Sequence, residues 1–544
     1  MTLITGNNFD NEFAKNPPAN PNNFTIPSGS GVEIVALDGD DTIDFAGLGA
    51  VVGSQVDAGE GDDSIYVESA TSNSSIVGGG GDDTIDLDGP VSNSVIAAGD
   101  GNDTVVFEDQ GVSNSEIYLG AGNDSIYASG GTFVDTFIQS ASGDDTYDLG
   151  DVTFVRSSIV AGVGNDTIQV GLFQNSLIAA GDGNDSILLE DNVFDSIIYL
   201  GAGNDSFEAS NYGLTGTLVQ SASGNNDFDD IDFLSGSSVI SGTGNDTVYV
   251  VNDVTDGSII ATGSGNDSIW VTGDIEDSTV FAGSGNDTLD LRGAIKDSLI
   301  QTSQGNNYFE FWDGFDESEN ATITGGDGND TVAFQGNIND VGVGTVFNGI
   351  DEFQVVTAFV VFGANAQAAG ISTVNVIGAS TVDAGAYTTS VTFEGDNNAQ
   401  ILFGGGAADT INGNGGNDFI AGNAGADTLT GGLGGDVFGY TNSSQSSATV
   451  TDRITDFTSG DFVSFRAVTG TFYSSIVATG DSLSAATEDA WSGVGTANID
   501  AIQFSYNGST YLSVEDTATS GATGALVIDV TGISGALAAA NFIA

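Results

Sequence analysis

Between Asp41 and Asp330 short apolar runs alternate with polar, glycine-rich loops, and the pattern returns about every twenty residues. One repeat reads Ser268-Ile269-Trp270-Val271, then Ser278-Thr279-Val280-Phe281, then the loop Ala282-Gly283-Ser284-Gly285-Asn286-Asp287. Alternating apolar and polar positions over so short a run is the period of a half-buried strand, not of a helix. Stacking equivalent runs brings Ile43, Ile65, Ile85, Val105, Ile126, Ile168, Ile187, Val248, Ile269 and Leu289 into one inward column. Ile96, Ile178, Ile198, Ile240, Ile260 and Ile300 form a second. Columns of β-branched residues are core material. Two short strands and two turns fill each repeat, which predicts a β-solenoid whose coils bury their apolar faces on their neighbours.

The loops carry the chemistry. Two close glycines let the backbone take positive φ and turn carbonyl oxygens inward. The carboxylate that follows adds a charged oxygen, and a shell of hard oxygens suits Ca²⁺. One Gly-x-Gly-Asn-Asp is an ordinary turn; the number of copies decides. The last loop position falls at Asp41, Asp63, Asp83, Asp103, Asp124, Asp145, Asp166, Asp185, Asp205, Asn226, Asp246, Asp267, Asp287, Asn307 and Asp330. Farther on, Asp409, Asp418, Asp427 and Asp436 stand nine apart, in units such as Gly-Asn-Gly-Gly-Asn-Asp-Phe-Ile-Ala.

Residues 404–439 resemble the tandem nonapeptides of the RTX (repeats-in-toxin) family. That resemblance implies a two-sided parallel β-roll with Ca²⁺ between successive coils, pairing Asp409 with Asp427 and Asp418 with Asp436. The fifteen earlier copies match on one side of each coil only, and are similar to the one-sided, Ca²⁺-lined solenoids of some RTX adhesins. The segment Asp452-Arg453-Ile454-Thr455-Asp456-Phe457-Thr458-Ser459-Gly460-Asp461 resembles the one that follows RTX arrays in type I-secreted proteins. The family's uncleaved export signal would then lie near Leu526–Ala544.

Charge sharpens this picture. Against 76 acidic residues stand 6 basic ones, a formal net charge of −70. Nucleic acid and anionic membranes are poor partners for such a surface, and no apolar run is long enough to insert into a bilayer. Carboxylates stacked at the ~5 Å strand spacing repel by ~3 kcal/mol per neighbouring pair at an effective dielectric near 20. Folding is therefore expected to need the cation. With 39% hydrophobic residues the chain is too apolar for a disordered polyanion. The first thirty residues lack the basic start and apolar core of a cleaved signal peptide.

Histidine and cysteine are absent, which removes imidazole bases, thiol nucleophiles and the usual zinc sites. No Gly-x-Ser-x-Gly elbow occurs either. The expectation is a non-enzyme. RTX ice-binding domains present regular Thr and Asx rows, and here the Asx row is regular from Asn102 to Asn286. The position two residues before it instead reads Asp100, Ala121, Val163, Asp182, Ala202, Thr243, Ser264 and Ser284.

The expected architecture is all-β: a right-handed parallel β-solenoid lined with Ca²⁺ on one edge, a short two-sided RTX β-roll, and a C-terminal β cap. Residues 1–35 form an N-terminal arm or cap, with Pro17, Pro18 and Pro21 opposing regular pairing. Residues 36–335 make the fifteen-coil solenoid, 336–400 a metal-free β spacer, 401–440 the roll and 441–544 the cap with the secretion signal. An 81-residue period lies over the coils: Gln139-Ser140-Ala141-Ser142-Gly143 returns as Gln220-Ser221-Ala222-Ser223-Gly224. It returns degenerately as Gln301-Thr302-Ser303-Gln304-Gly305; these coils lose a loop glycine and two of them replace its Asp with the uncharged Asn226 and Asn307, so the loops 141–145, 222–226 and 303–307 are expected to bind Ca²⁺ poorly. The functional expectation is a secreted, extracellular or cell-surface protein. It resembles bacterial RTX surface-layer and filament proteins, cyanobacterial forms included, with further copies of itself and cell-surface polysaccharide as partners. A Ca²⁺-stabilised adhesin or ice-binding module is the alternative.

Overall fold

A computed structural model describes residues 2–15, 23–28, 30–108, 110–465, 471–494, 499–514, 525–533 and 537–543. Pro17, Pro18 and Pro21, and parts of the proposed secretion signal, lie outside them. The chain forms two compact units, Met1–Leu289 with Ile300–Gln304 and Asp290–Leu299 with Gly305–Ala544. Almost every strand pair is parallel, and the architecture is an all-β solenoid with few helices.

From Val51–Val52 onward the coils of the first unit hold three strands, one more than their apolar runs announce. A representative coil runs through Ser75–Gly80, Thr84–Leu87 and Val91–Ser92. The next coil repeats it in register, with Ile76 opposite Ile96, Ile85 opposite Val105 and Val91 opposite Val112. The third strand is too short to show alternation, and its signature lies in the turn after it. A residue in the left-handed region ends it, as at Asn73 (φ 52), Asn93 (φ 48) and Asn114 (φ 47), a conformation that Asn tolerates. A buried hydroxyl follows. The N–H of Ser54 donates to Oγ of Ser74 at 3.1 Å, and that of Ser74 to Oγ of Ser94 at 3.2 Å. This ladder reaches Ser115 and runs again from Thr136 to Ser258, satisfying backbone donors that the turn would otherwise bury unpaired.

Three apolar columns fill the interior, and all the inward residues named above are buried except one. Ile240 faces outward, and Val239 takes the core place opposite Val219 and Ile260. Both neighbours are apolar and β-branched, so only the pairing register separates them. At the other end of the unit, Thr2–Thr5 pairs with Val32–Val35 and Glu12–Ala14 with Asn23–Thr25 and Thr42–Ile43. Phe13 is fully buried there.

In the second unit the coil changes form. The long strand Glu352–Val361 pairs with both strands that follow it, and from Thr373–Ile377 onward each strand pairs with the strand two places along, giving two-stranded coils that run through Asp452–Ile454 and Phe462–Ser464. The two-sided roll thus starts before its nonapeptide motif and continues past it. The C-terminal region contains a helix, Leu483–Val494, where only β structure was expected. Leu483, Ala486 and Ala490 lie at helical spacing and pack on Ile502 and Phe504 of an antiparallel hairpin. Among the described residues no helix is long and apolar enough to cross a membrane.

Candidate metal centre

Stacking dictates the loop. Gly79 and Gly81 sit at φ 132 and 120, and a Cβ on Gly79 would collide with the carbonyl oxygen of Gly59 in the preceding coil. Glycine is required because the neighbouring backbone occupies the space a side chain would need. This close approach lines the loop edge with carbonyl oxygens.

All seventeen aspartates expected to bind metal, Asp41 through Asp436, are buried. One carboxylate oxygen of each has a fixed task. The N–H of Asp41 donates to Oδ1 of Asp63 at 2.6 Å, Asp63 to Asp83 at 2.8 Å, and Asp83 to Asp103 at 2.7 Å. The ladder reaches Asp287, which accepts from Asp267 at 3.0 Å. In the roll Asp409 donates to Asp427 at 2.8 Å and Asp418 to Asp436 at 2.9 Å, so those residues are brought together in pairs.

The second oxygen has a different fate. Oδ2 of Asp41, Asp63, Asp83, Asp103, Asp124, Asp166, Asp185, Asp330, Asp418, Asp427 and Asp436 is buried with no hydrogen-bond partner among the described residues. Burial pushes the carboxyls of Asp63, Asp83, Asp124, Asp185 and Asp418 up to about 7. It pushes those of Asp103, Asp166, Asp267 and Asp427 up to about 6. Donation from the backbone N–H opposes the shift without cancelling it. A buried, unpaired carboxylate is among the costliest groups a fold can hold.

Asparagine at the same position shows what surrounds that second atom. Nδ2 of Asn226 donates to the Gly224 carbonyl at 3.1 Å, the Ser241 carbonyl at 3.4 Å and Oδ1 of Asp246 at 3.1 Å. Nδ2 of Asn307 donates to Oδ1 of Asp330 at 2.8 Å and to the Gly325 carbonyl at 3.4 Å. Every neighbour is an oxygen. An amide satisfies that shell with its two N–H groups, whereas the Oδ2 atoms of the aspartates named above meet no donor. A cation among these carbonyls and carboxylates removes the conflict, and oxygen-only donors suit Ca²⁺. Among the described residues no three acidic side chains form a cluster that could hold a metal, so backbone carbonyls would have to supply much of the shell.

Several members of the columns escaped the sequence reading. Asn11 lies before Asp41, donating Nδ2 to Oδ1 of Asp41 at 2.8 Å and to the Asn7 carbonyl at 3.0 Å. Its loop, Gly6-Asn7-Asn8-Phe9-Asp10-Asn11, lacks the second glycine that marks the motif. Asp351 accepts from the N–H of Asp330 at 2.9 Å. Asp452 and Asp461 accept from Asp427 and Asp436, both at 3.0 Å. Burial pushes Asp452 up to about 8. Their 25-residue spacing from the preceding members hid them, although the signal was there in the Asp-x-Ile-x-Asp-Phe segment. In the coil of Asp246 the hydroxyl of Ser241 donates to the free oxygen at 2.7 Å, a partial substitute for the ion.

Fold and loop together define a β-solenoid whose coils are stacked around a column of cation sites. The model of the RTX calcium-binding nonapeptide repeat matches residues 111–132, 270–294, 319–336 and 403–438. The chain carries RTX calcium-binding nonapeptide repeats, and Ca²⁺ is the ion these loops bind. Among solved structures it is similar to a hyperactive, Ca²⁺-dependent, β-helical antifreeze protein from an Antarctic bacterium, at 17% identity over 76% of this chain and 84% of that one. The TM-score is 0.20, so the likeness carries no argument about this chain. No curated protein sequence matches it.

Proposed function

We propose that this is a secreted, extracellular structural protein that folds on Ca²⁺ and then associates with further copies of itself into a surface layer or filament. The observation that supports this is the row of buried, unpartnered carboxylate oxygens, repeated coil after coil. So many loop sites fill together only where Ca²⁺ is abundant, and low-affinity Ca²⁺ modules belong to the outside of cells. Ion binding is then folding energy, which keeps the chain unfolded until it meets the ion. The side chains serve cation coordination and strand stacking, and the chain acts without catalysis. The terminal coils of a solenoid offer unpaired backbone, and a head-to-tail contact between unlike ends grows an open chain. Cell-surface polysaccharide is the anchor such an assembly would use. The test is electron microscopy of the full chain in millimolar Ca²⁺ and in EDTA. Sheets or filaments that form only with Ca²⁺ support the proposal; folded protein that stays dispersed at high concentration in Ca²⁺ defeats it.

One observation favours a second reading, ice binding. An exposed Asx ladder runs beside the buried one in the opposite sense, with the N–H of Asn266 donating to Oδ1 of Asn245 and that of Asn286 to Oδ1 of Asn266. Thr243, Ser264 and Ser284 stand beside it in register. Thermal hysteresis of the Ca²⁺-loaded protein decides: its absence removes this reading.

A further inference from the structure

The broad outward face of one sheet carries little of this molecule's acidity. Eleven strands, from Ser75–Gly80 to Thr279–Ser284, stack in register within the first unit. Each shows two alternating side chains outward ahead of its loop, and of those twenty-two (eleven strands with two each) only Glu116 is charged; the exposed Asp100 and Asp182 stand at the loop ends of their strands, at the edge of the face. The face is rich in apolar groups instead. Ile197, Tyr199 and Ile259 are 39%, 40% and 40% exposed, and the Tyr118 and Phe137 rings meet edge-on beside them. The neighbouring sheet of the same coils, from Thr84 to Trp270, presents Asp86, Asp148, Glu208, Asp227 and Asp229. Chance placement of acidic residues would not spare one face of a chain with net charge −70.

The dimensions are those of an interface. Eleven strands ~4.8 Å apart span ~50 Å, and two outward residues per strand give a width of ~13 Å with their side chains. That is ~650 Å² on each partner, about 1,300 Å² in total, within the range of specific interfaces and above the largest apolar patch of a typical monomer. We infer that this face is where two copies of the chain pack against each other. The occupant follows from charge and shape. Two copies approaching by the neighbouring sheet bring uncompensated carboxylates together, whereas here they meet across a nearly neutral surface, and the third sheet, with one outward residue on most strands, is too narrow to serve. A flat sheet also matches a flat sheet, with ~10 Å between them. An isologous contact sets the patch on itself, so its sixth strand, Leu177–Asp182, lies against its own copy across the two-fold axis. The inference rests on the self-association proposed above and names the surface that carries it.

Because the chain has no cysteine, a single introduced one reports alone. In millimolar Ca²⁺, Ala179→Cys, outward on the middle strand, should give cross-linked dimer with a short bismaleimide. Tyr127→Cys, exposed on the neighbouring sheet, should not. Ile197→Asp with Ile259→Asp should weaken association at least tenfold by sedimentation velocity while leaving the far-ultraviolet circular dichroism unchanged. Association that persists in the double variant, with no cross-link through Ala179→Cys, overturns this surface and leaves the proposed self-assembly standing. A folded parent protein that is monomeric at every concentration overturns both.

Discussion

Replacing Asn226 by aspartate isolates the element on which the metal reading turns. The amide donates from Nδ2 to Oδ1 of Asp246 and the Gly224 carbonyl, both at 3.1 Å. Asn226→Asp keeps the shape, reverses both hydrogen bonds into oxygen–oxygen contacts and adds a second charge beside Asp246. Two carboxylates about 4.5 Å apart at an effective dielectric near 20 repel by about 3–4 kcal/mol. Losing a hydrogen bond to a charged acceptor adds about 1.5–3 kcal/mol. In EDTA the variant should therefore be destabilised by about 5 kcal/mol, comparable with the whole stability of a small domain. With Ca²⁺ at a hundred times its dissociation constant, a new site returns about 2.7 kcal/mol, and the ion also removes the repulsion. Native mass spectrometry should count one more Ca²⁺ on Asn226→Asp than on the parent, and urea unfolding with and without Ca²⁺ should show the two opposite trends. Asp185→Asn, where Oδ2 has no partner, should lose one ion. An unchanged ion count in both variants would refute the claim that the amide sits where the ion binds.

Four further outcomes follow. Circular dichroism in EDTA at neutral pH should show largely disordered chain that converts to β structure in millimolar Ca²⁺; a fully β spectrum without the ion would contradict the uncompensated column. The carboxyls raised to about 6–7 in the stacked state stand above the usual value of 3.8. Protonation therefore favours stacking: the metal-free fold should be most stable below about pH 4 and lose stability as pH rises through 6 to 7, so an EDTA titration with no gain of β signal on acidification would oppose the argument. Gly203→Ala places a Cβ against the Gly183 carbonyl at a φ of 151, and should cost more than the ~1 kcal/mol of an ordinary glycine change, read as a lower thermal midpoint in Ca²⁺. Deleting residues 1–31 removes the Asn11 amide from Asp41 and the strand paired with Val32–Val35, which should lower the midpoint and free the first coil for exchange, read by amide hydrogen exchange at Val32–Val35.

Much of this was legible because the loop repeats. Each Asp in the two motif arrays occupies a column, since a period of about twenty or nine residues leaves one register that buries the main apolar columns together. Features carried by other signals were not. The third strand has two residues in most coils, below the length at which alternation can be read. Its evidence was the recurring Asn-Ser or Asp-Ser pair, as at Asn93-Ser94 and Asp195-Ser196, which resembles any turn until the hydroxyls are seen in a ladder. Ile240 and Val239 are interchangeable by composition and separated only by a register set one coil away. The helix at Leu483–Val494 lies outside the repeat, where the expectation of β structure had nothing periodic to rest on.

The asparagines explain why a column of this kind can vary without breaking. Oδ1 performs the same task in Asn and Asp: that of Asn226 accepts from the N–H of Asp205 at 3.0 Å, as that of Asp246 accepts from Asn226 at 2.8 Å. The coil therefore stacks with either residue. Only the second atom differs, nitrogen satisfying a ring of oxygens and oxygen requiring a cation among them. Sequence alone identified Asn226 and Asn307 as weak sites because they lack a charge, but their positive role depends on carbonyls at Ser241 and Gly325, fifteen and eighteen residues away. A change of one atom thus sets whether two coils are joined by an ion or by hydrogen bonds, and the ion content of the solenoid can change while its fold stays fixed. Places held by amide stay clasped when Ca²⁺ is withdrawn, so unfolding in EDTA should begin in the uninterrupted carboxylate run from Asp63 to Asp185 rather than beside Asn226.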